Sequence, residues 1–260
     1  MLYSAISSSS TGIQAASSFL DVTSNNVANS NTPGYKTAQI TFQDLLYVGA
    51  PAGASTAGIT PPGGIQIGNG VVVDSVTGQF TQGGLEQSRG NFDIAINGEG
   101  FFSVVLPDGT TGYTRAGDFI VDNTGQLVTP DGFRLAGGIL LPAGTDSISV
   151  APNGVVTAVN ENGSTQVVGQ LTLTRFLNPG GLLRLGDNTF TATPASGNGV
   201  TDVPTTNGLG TLTSGSLEQS NVDVTSELVN LVIAQQAFQF NTQSLQVESQ
   251  VLQTTADLIQ

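Results

Sequence analysis

Residues 224–259 read VTSELVNLVIAQQAFQFNTQSLQVESQVLQTTADLI. Val224, Leu231, Phe238, Leu245, Leu252 and Ile259 recur every seven residues. Leu228, Thr242, Ser249 and Ala256 hold the paired positions, and Gln235 interrupts them. Spacings of three and four set such residues along one stripe of an α-helix. Neither Gly nor Pro occurs beyond Gly215, and Ser220 or Asp223 can cap the start. The stretch predicts a helix of roughly 35 residues, about 50 Å long at ~1.5 Å per residue. A helix that long with so narrow a seam reads as a coiled-coil strand rather than a helix inside a globular core.

The other end of the chain carries the same period. Ile6, Ile13, Leu20 and Val27 are seven residues apart, and Leu2, Ala16 and Thr23 fill the alternate seam positions, with Ser9 as a gap. No Pro precedes Pro33, so one amphipathic helix is expected over residues 3–29. Ser4, Ser7, Ser8, Ser9 and Ser10 crowd its first turns, and Ser hydroxyls compete for the backbone. Such a helix is marginal by itself in water. Coiled coils usually flank the seam with Glu and Lys, but no Lys or Arg follows Arg184. Pairing therefore falls to shape, apolar burial and Ser/Thr/Asn/Gln hydrogen bonds. Two helices alone leave apolar faces uncovered, which further copies can cover.

Between the ends the period changes. Turn signals stand at Asn97-Gly98, Pro107-Asp108-Gly109, Asp122-Asn123-Thr124-Gly125, Pro130-Asp131-Gly132, Pro152-Asn153-Gly154 and Asn162-Gly163. Short β-rich runs separate them, as in antiparallel sheet. The fold class expected is α+β: terminal helices forming a coiled-coil-like inner domain (1–30 with 223–260) and a central antiparallel β domain (91–190). Residues 31–90 and 191–222 read as extended connector, because Gly/Pro/Ser/Thr-rich stretches occupy 49–70 and 194–215. LEQS occurs twice, at Leu85–Ser88 and Leu217–Ser220. Either this is coincidence, or both mark strands that enter and leave the β domain side by side.

Composition removes most chemistries. The chain of 260 residues holds 6 Lys+Arg against 19 Asp+Glu, a formal charge of −13, with no His, Cys or Trp. Disulfides, Cys/His zinc sites, a Ser-His-Asp triad and a Cys nucleophile are all excluded. An acidic chain repels phosphates, so no nucleic-acid partner is expected. No run of 18 apolar residues exists to span a membrane. The start MLYSAISSSS has neither a basic n-region nor an apolar h-region, so no secretory signal peptide is expected. Charged residues are only 10% of the chain, so Ser, Thr, Asn and Gln must build the polar surface. Acid/base catalysis would need two carboxylates in one cleft. Asp93, Glu99, Asp108, Asp118, Asp122 and Asp131 are the candidates, and most stand in turns, where Asp is ordinary. Arg115 either pairs an acidic neighbour or contacts another subunit. No catalytic, cofactor or metal residue is expected.

The segment Ser24-Asn25-Asn26-Val27-Ala28-Asn29-Ser30-Asn31-Thr32-Pro33-Gly34-Tyr35-Lys36 resembles the signature of the bacterial flagellar basal-body rod and hook family. The likeness continues at Phe42–Tyr47, Asp93–Phe102, Tyr113-Thr114-Arg115-Ala116-Gly117-Asp118-Phe119, Gly125–Thr129 and Leu217–Val224, and covers nearly the whole chain. Asn25, Asn26, Val27, Ala28, Asn29, Thr32, Pro33, Gly34 and Tyr35 carry the signature itself. The length, the insert from Tyr47 to Gly63 and the run Gly64–Val71 are most similar to the distal-rod branch. Proximal-rod or hook-type axial subunits are the alternative. Outside the family, a secreted β-rich adhesin or carbohydrate-binding module, or a carboxylate glycosidase, stays open.

The resemblance implies a structural, non-enzymatic subunit of a helical tube that transmits torque from motor to hook and encloses the export channel. Self-assembly would run through Leu2, Ile6, Ile13, Leu20, Val27, Val224, Leu228, Leu231, Phe238, Leu245, Leu252 and Ile259. The partners implied are further copies of the chain, proximal rod proteins, the hook protein, the surrounding ring bushing and the flagellar type III export apparatus. The place implied is the extracytoplasmic basal body, in the periplasm where the host has an outer membrane. The insert is expected to stiffen the rod by adding axial contacts.

Overall fold

In the computed structural model, which describes residues 2–49, 66–160 and 162–257, both seam segments are helices. α1 spans Leu2–Ala28 and α2 spans Val224–Asp257. α1 stops where the chain turns through Asn29 to Gly34. Thr32 N–H donates to Asn29 O at 3.1 Å and Tyr35 N–H to Thr32 O at 3.2 Å. Pro33 has no N–H with which to continue the helix. Glu227 lies in the first turn of α2, where the helix dipole favours an acid.

The chain divides into two compact units. A helical unit takes Met1–Val27, Ala38–Thr77 and Val224–Gln260, and a β unit takes Ala28–Thr37 and Gly78–Asp223. In the helical unit a two-stranded ribbon, Ala38–Asp44 with Val71–Gly78, accompanies α1. The ring of Phe42 meets that of Phe19 edge-on at 6.1 Å, and Val71 N–H donates to Thr11 Oγ1 at 3.4 Å. The short strands Val48–Gly49 and Gln66–Ile67 pair antiparallel, so the arms of the insert form a hairpin base. Residues 50–65 between them, the bulk of the expected insert, lie outside the described residues, as does Ile259 of the expected seam.

The β unit holds a nine-stranded antiparallel sheet around the strand Phe101–Val105. Its neighbours are Thr111–Thr114, Arg134–Leu135 and Leu173–Arg175. Alternation along Phe101–Val105 feeds two cores. Phe102 and Val104 join Ile94, Ile96, Leu127, Val156, Leu171 and Leu212 in the larger one. Phe101 joins Phe176, Leu182 and Phe190 in the smaller one, against Phe80 and Tyr113. The smaller core is built of edge-on ring contacts, such as Phe80 to Phe190 at 5.2 Å and Tyr113 to Phe176 at 4.8 Å. A separate meander, Thr145–Val150, Val155–Asn160 and Thr165–Gln170, supplies Ile148, Val150, Val156 and Ala158 to the larger core.

The β unit takes in residues 78–90 and 191–222, which composition assigns to a connector. Part of 194–215 is sheet: Val200–Asp202 pairs Leu173–Arg175, and Thr211–Ser214 pairs Ile94–Asn97. Leu209 and Leu212 from this stretch are core residues. The twin LEQS runs are paired strands, with Ser216 opposite Gln87 and Glu218 opposite Leu85.

Candidate assembly interface and a buried ion triad

α1 and α2 run antiparallel. Ser9 Oγ donates to Ser244 Oγ at 3.2 Å and lies 3.3 Å from Glu248 Oε1, and at the other end Asn26 Nδ2 donates to Glu227 Oε1 at 3.0 Å. Facing positions sum to 253 at both ends, for 9 with 244 and for 26 with 227. Gly12 fits this register, because a Cβ there would stand 2.8 Å from Asn241 Oδ1. The deepest row on α1 is its smallest: Ser9, Ala16 and Thr23 are all buried, and so are Ala15 and Asn26. Small residues let two backbones approach closely. Ser9, a gap by hydropathy, is therefore a contact by size.

The seam on α2 differs from the expected one by a shift of its second row. Leu231, Phe238, Leu245 and Leu252 are half-buried, as are Ile6, Ile13, Leu20 and Val27 on α1. Their partner row is Glu227, Ala234, Asn241 and Glu248, of which Glu227 and Ala234 are buried. Val224 and Leu228 are exposed by 40% and 51%, and Gln235, Ser249 and Ala256 are exposed too. Polar side chains won this row because α1 offers them partners, Asn26 for Glu227 and Ser9 for Glu248. Leu228, of the expected row, and six large apolar side chains outside both rows lie in the open. Leu228, Val229, Val232, Ile233, Phe240, Val247 and Val251 are large and exposed, Phe240 by 68%. Ile6, Leu245 and Leu252 line a groove of about 750 Å³ on the helical unit.

The signature segment and two other motifs meet at charges in the β unit. Lys36 Nζ stands 2.5 Å from Glu218 Oε1 and donates to Thr81 O at 2.9 Å. Arg115 Nη1 lies 3.3 Å from Glu218 Oε2, and Arg115 Nη2 donates to Gly98 O at 2.8 Å. Gly83 N–H also donates to Glu218 Oε1, at 2.9 Å. All three side chains are buried. Burial pushes the Lys36 ammonium down, while Glu218 pulls it back up; the same two effects act on Arg115. Arg115 thus pairs an acid of its own chain. Two cations on one carboxylate leave the group with an excess positive charge.

Gly34 positions this triad. Its N–H donates to Glu218 O at 2.7 Å, its φ is +69°, and a Cβ would lie 2.5 Å from Ala116 N. Only glycine fits so close a turn at positive φ. Tyr35 is buried, with the Arg184 guanidinium 5.3 Å from its ring centre. Asn221 then ties its own segment to two others. Its Oδ1 accepts Thr37 N–H at 2.7 Å, and its Nδ2 donates to Gln79 O at 2.8 Å and Thr81 O at 3.1 Å. These are the segments by which the chain leaves the β unit. Asn26 does similar work in the helical unit: Ala38 N–H donates to its Oδ1 and its Nδ2 donates to Ala38 O, both at 2.9 Å.

Four of the six acids considered for catalysis are otherwise engaged. Thr110 and Thr124 hydroxyls and N–H groups hold Asp108 and Asp122 below the usual carboxylate range. Asp93 takes the Ser88 hydroxyl, and Glu99 pairs Arg175 at 2.7 Å. Burial raises Asp118, helped by Asp93 and Asp131. Among the described residues no group of three or more acids could hold a metal ion.

Comparison with known proteins agrees with the three converging motifs. Residues 6–36 match the flagella basal body rod protein family, residues 95–158 the flagellar hook protein FlgE/F/G D1 domain, and residues 213–258 the flagellar basal body rod FlgEFG protein C-terminal region. The chain is 41% identical over 254 residues to the flagellar basal-body rod protein FlgG of Buchnera aphidicola subsp. Acyrthosiphon pisum, spanning 96% of this chain and 97% of that one. It belongs to the flagellar rod and hook family. Within that family it is most like the FlgG rod proteins. Those of Caulobacter vibrioides and Bacillus subtilis are 38% and 37% identical, each aligned over at least 98% of both chains. The three matched regions each contribute one member of the triad: Lys36, Arg115 and Glu218. Sequence reasoning missed the triad as a unit. A usable signal existed, since two of only six basic residues sit inside the family motifs.

Proposed function

We infer that this rod-family chain is a structural subunit of the distal rod, built to polymerise into a helical tube that carries torque toward the hook. The observation that carries the reading is the apolar stripe of α2. Leu228, Val229, Val232, Ile233, Phe240, Val247 and Val251 are exposed along most of its length, although α2 already has α1 as a partner. A chain rarely leaves seven large apolar side chains of one helix bare unless another protein covers them. Further copies of the helical unit suit the stripe, because its exposed side chains carry no charge, while the unit's acids (Asp21, Asp44, Asp74, Glu227, Glu248 and Asp257), without any base, make added salt favour the packing. The residues facing α1 set the hairpin, and the exposed apolar residues face the neighbours.

In this reading the helical unit supplies the contacts between copies. The partners are proximal rod proteins, the hook protein and the surrounding ring bushing, and the subunit reaches the extracytoplasmic basal body through the flagellar type III export apparatus. The insert between Tyr47 and Gly63 adds axial contacts and stiffens the tube. Electron microscopy of the purified chain across a concentration series tests the proposal. Tubes of constant diameter appearing above a critical concentration are expected. A protein that stays monomeric at every concentration overturns it.

A further inference from the structure

We propose that a cavity in the β unit is a binding site for one carboxylate group, filled in an assembly by an acidic side chain of a neighbouring copy. The cavity holds about 140 Å³, room for the end of a single side chain. Phe80, Phe101 and Phe176 wall it, and Arg115 and Arg175 reach it from two sides.

Its polar chemistry is incomplete in one direction. Among the described residues, four buried side-chain polar atoms have no hydrogen-bond partner, and two of them, Arg115 Nε and Arg175 Nε, belong to residues that line this cavity. Arg115 is almost fully buried, and its other two nitrogens are committed to Glu218 and Gly98. Arg175 Nε lies 2.7 Å from Glu99 Oε2 but lacks hydrogen-bond geometry, while its Nη1 donates to Asn207 O at 3.2 Å. Arg115 Nε is thus a buried donor with no acceptor, whereas the Arg175 side chain, 43% exposed, is held at the rim beside Glu99. An unmet N–H on a buried guanidinium is costly, so an acceptor is favoured there.

Charge gives the acceptor its sign. Lys36, Arg115 and Arg175 face Glu218 and Glu99, three cations against two carboxylates. One further carboxylate balances the set. Glu99 opposes an incoming acid, but it is exposed at the rim and already paired. The Arg115 guanidinium also lies over the Phe101 ring at 5.4 Å, which fixes its plane. A fixed guanidinium with a free N–H matches a carboxylate better than a point anion.

A second copy is the source because the chain is itself an acidic partner. It carries 19 acidic against 6 basic residues, and turn acids such as Asp108 and Asp131 stand exposed. Packed copies present few cationic spots to receive them. This part rests on the assembly proposed above, whereas the carboxylate site does not.

The test uses the full-length monomer. Arginine side-chain NMR follows the Arg115 and Arg175 Nε–H signals during titration with sodium acetate, against sodium chloride at equal ionic strength. A saturable shift of both signals with acetate is expected in the parent, and loss of the Arg115 shift in Arg175→Leu. No acetate-specific shift, or one that survives Arg175→Leu unchanged, overturns the site. Assembly onset is then measured at saturating acetate. A critical concentration at least threefold higher than in matched chloride is expected. Acetate binding that leaves assembly unchanged overturns the neighbouring copy as the source.

Discussion

Lys36 and Glu218 are 182 positions apart and meet at 2.5 Å, with neither side chain exposed to solvent. One belongs to the turn that ends the N-terminal helix and the other to the strand that precedes the C-terminal one. The pair closes the β unit across nearly the whole chain. Its geometry places Glu218 at the centre, because that carboxylate serves Lys36, Arg115 and the Gly83 N–H together.

The charge count makes the members of the triad unequal. Glu218→Gln leaves two buried cations without a counter-charge and is expected to cost about 3–5 kcal/mol. Lys36→Met leaves the Arg115–Glu218 pair balanced and is expected to stay within about 1 kcal/mol of the parent. Urea unfolding of each variant under monomeric conditions checks the order. Equal losses would mean that the triad acts by packing alone.

Gly34→Ala tests the turn. A Cβ at φ +69° costs about 1–2 kcal/mol by itself, and here it would also meet backbone atoms of Arg115 and Ala116. A loss of at least ~2 kcal/mol is expected, together with displaced backbone signals near Ala116.

Asp118 predicts a pH dependence. Burial first, then the neighbouring Asp93 and Asp131, raises its pKa in the folded state. A raised acid binds its proton more tightly when folded, so ionisation opposes folding. Stability from this group is present below the unfolded pKa and falls as pH rises through the folded value. Asp118→Asn is therefore expected to stabilise the protein at pH 7 and to make no difference below about pH 3.9, the ordinary aspartate value. Thermal unfolding at the two pH values reads it, and an equal effect at both would contradict the assigned cause.

The two faces of α2 predict different phenotypes. Phe240→Ser removes an exposed ring and is expected to change monomer stability by less than about 0.5 kcal/mol while raising the critical concentration severalfold. Leu245→Asp and Ile13→Asp put charge into the helix pair and are expected to abolish assembly with the β unit still folded. Light scattering with near-ultraviolet circular dichroism separates these outcomes. Normal polymers from Phe240→Ser would show that the stripe is not the contact surface.

Local chemistry in the sequence was enough to determine the terminal helices, the antiparallel middle and the turn between Asn29 and Gly34. Residue period, Gly and Pro placement and turn dipeptides act over a few residues and can be read in order. The heptads of Ile6 to Val27 and Leu231 to Leu252 likewise appear where the seam lies. Two matters were decided only when the chain was folded. The second seam row went to Glu227, Asn241 and Glu248, because Asn26, Gly12 and Ser9 stand opposite them; hydropathy ranks each residue alone and cannot see a partner more than 200 positions away. The ion triad draws on residues 36, 115 and 218 for the same reason. Desolvating a charge is tolerable only beside its counter-charge, and which charges become neighbours is a property of the tertiary structure.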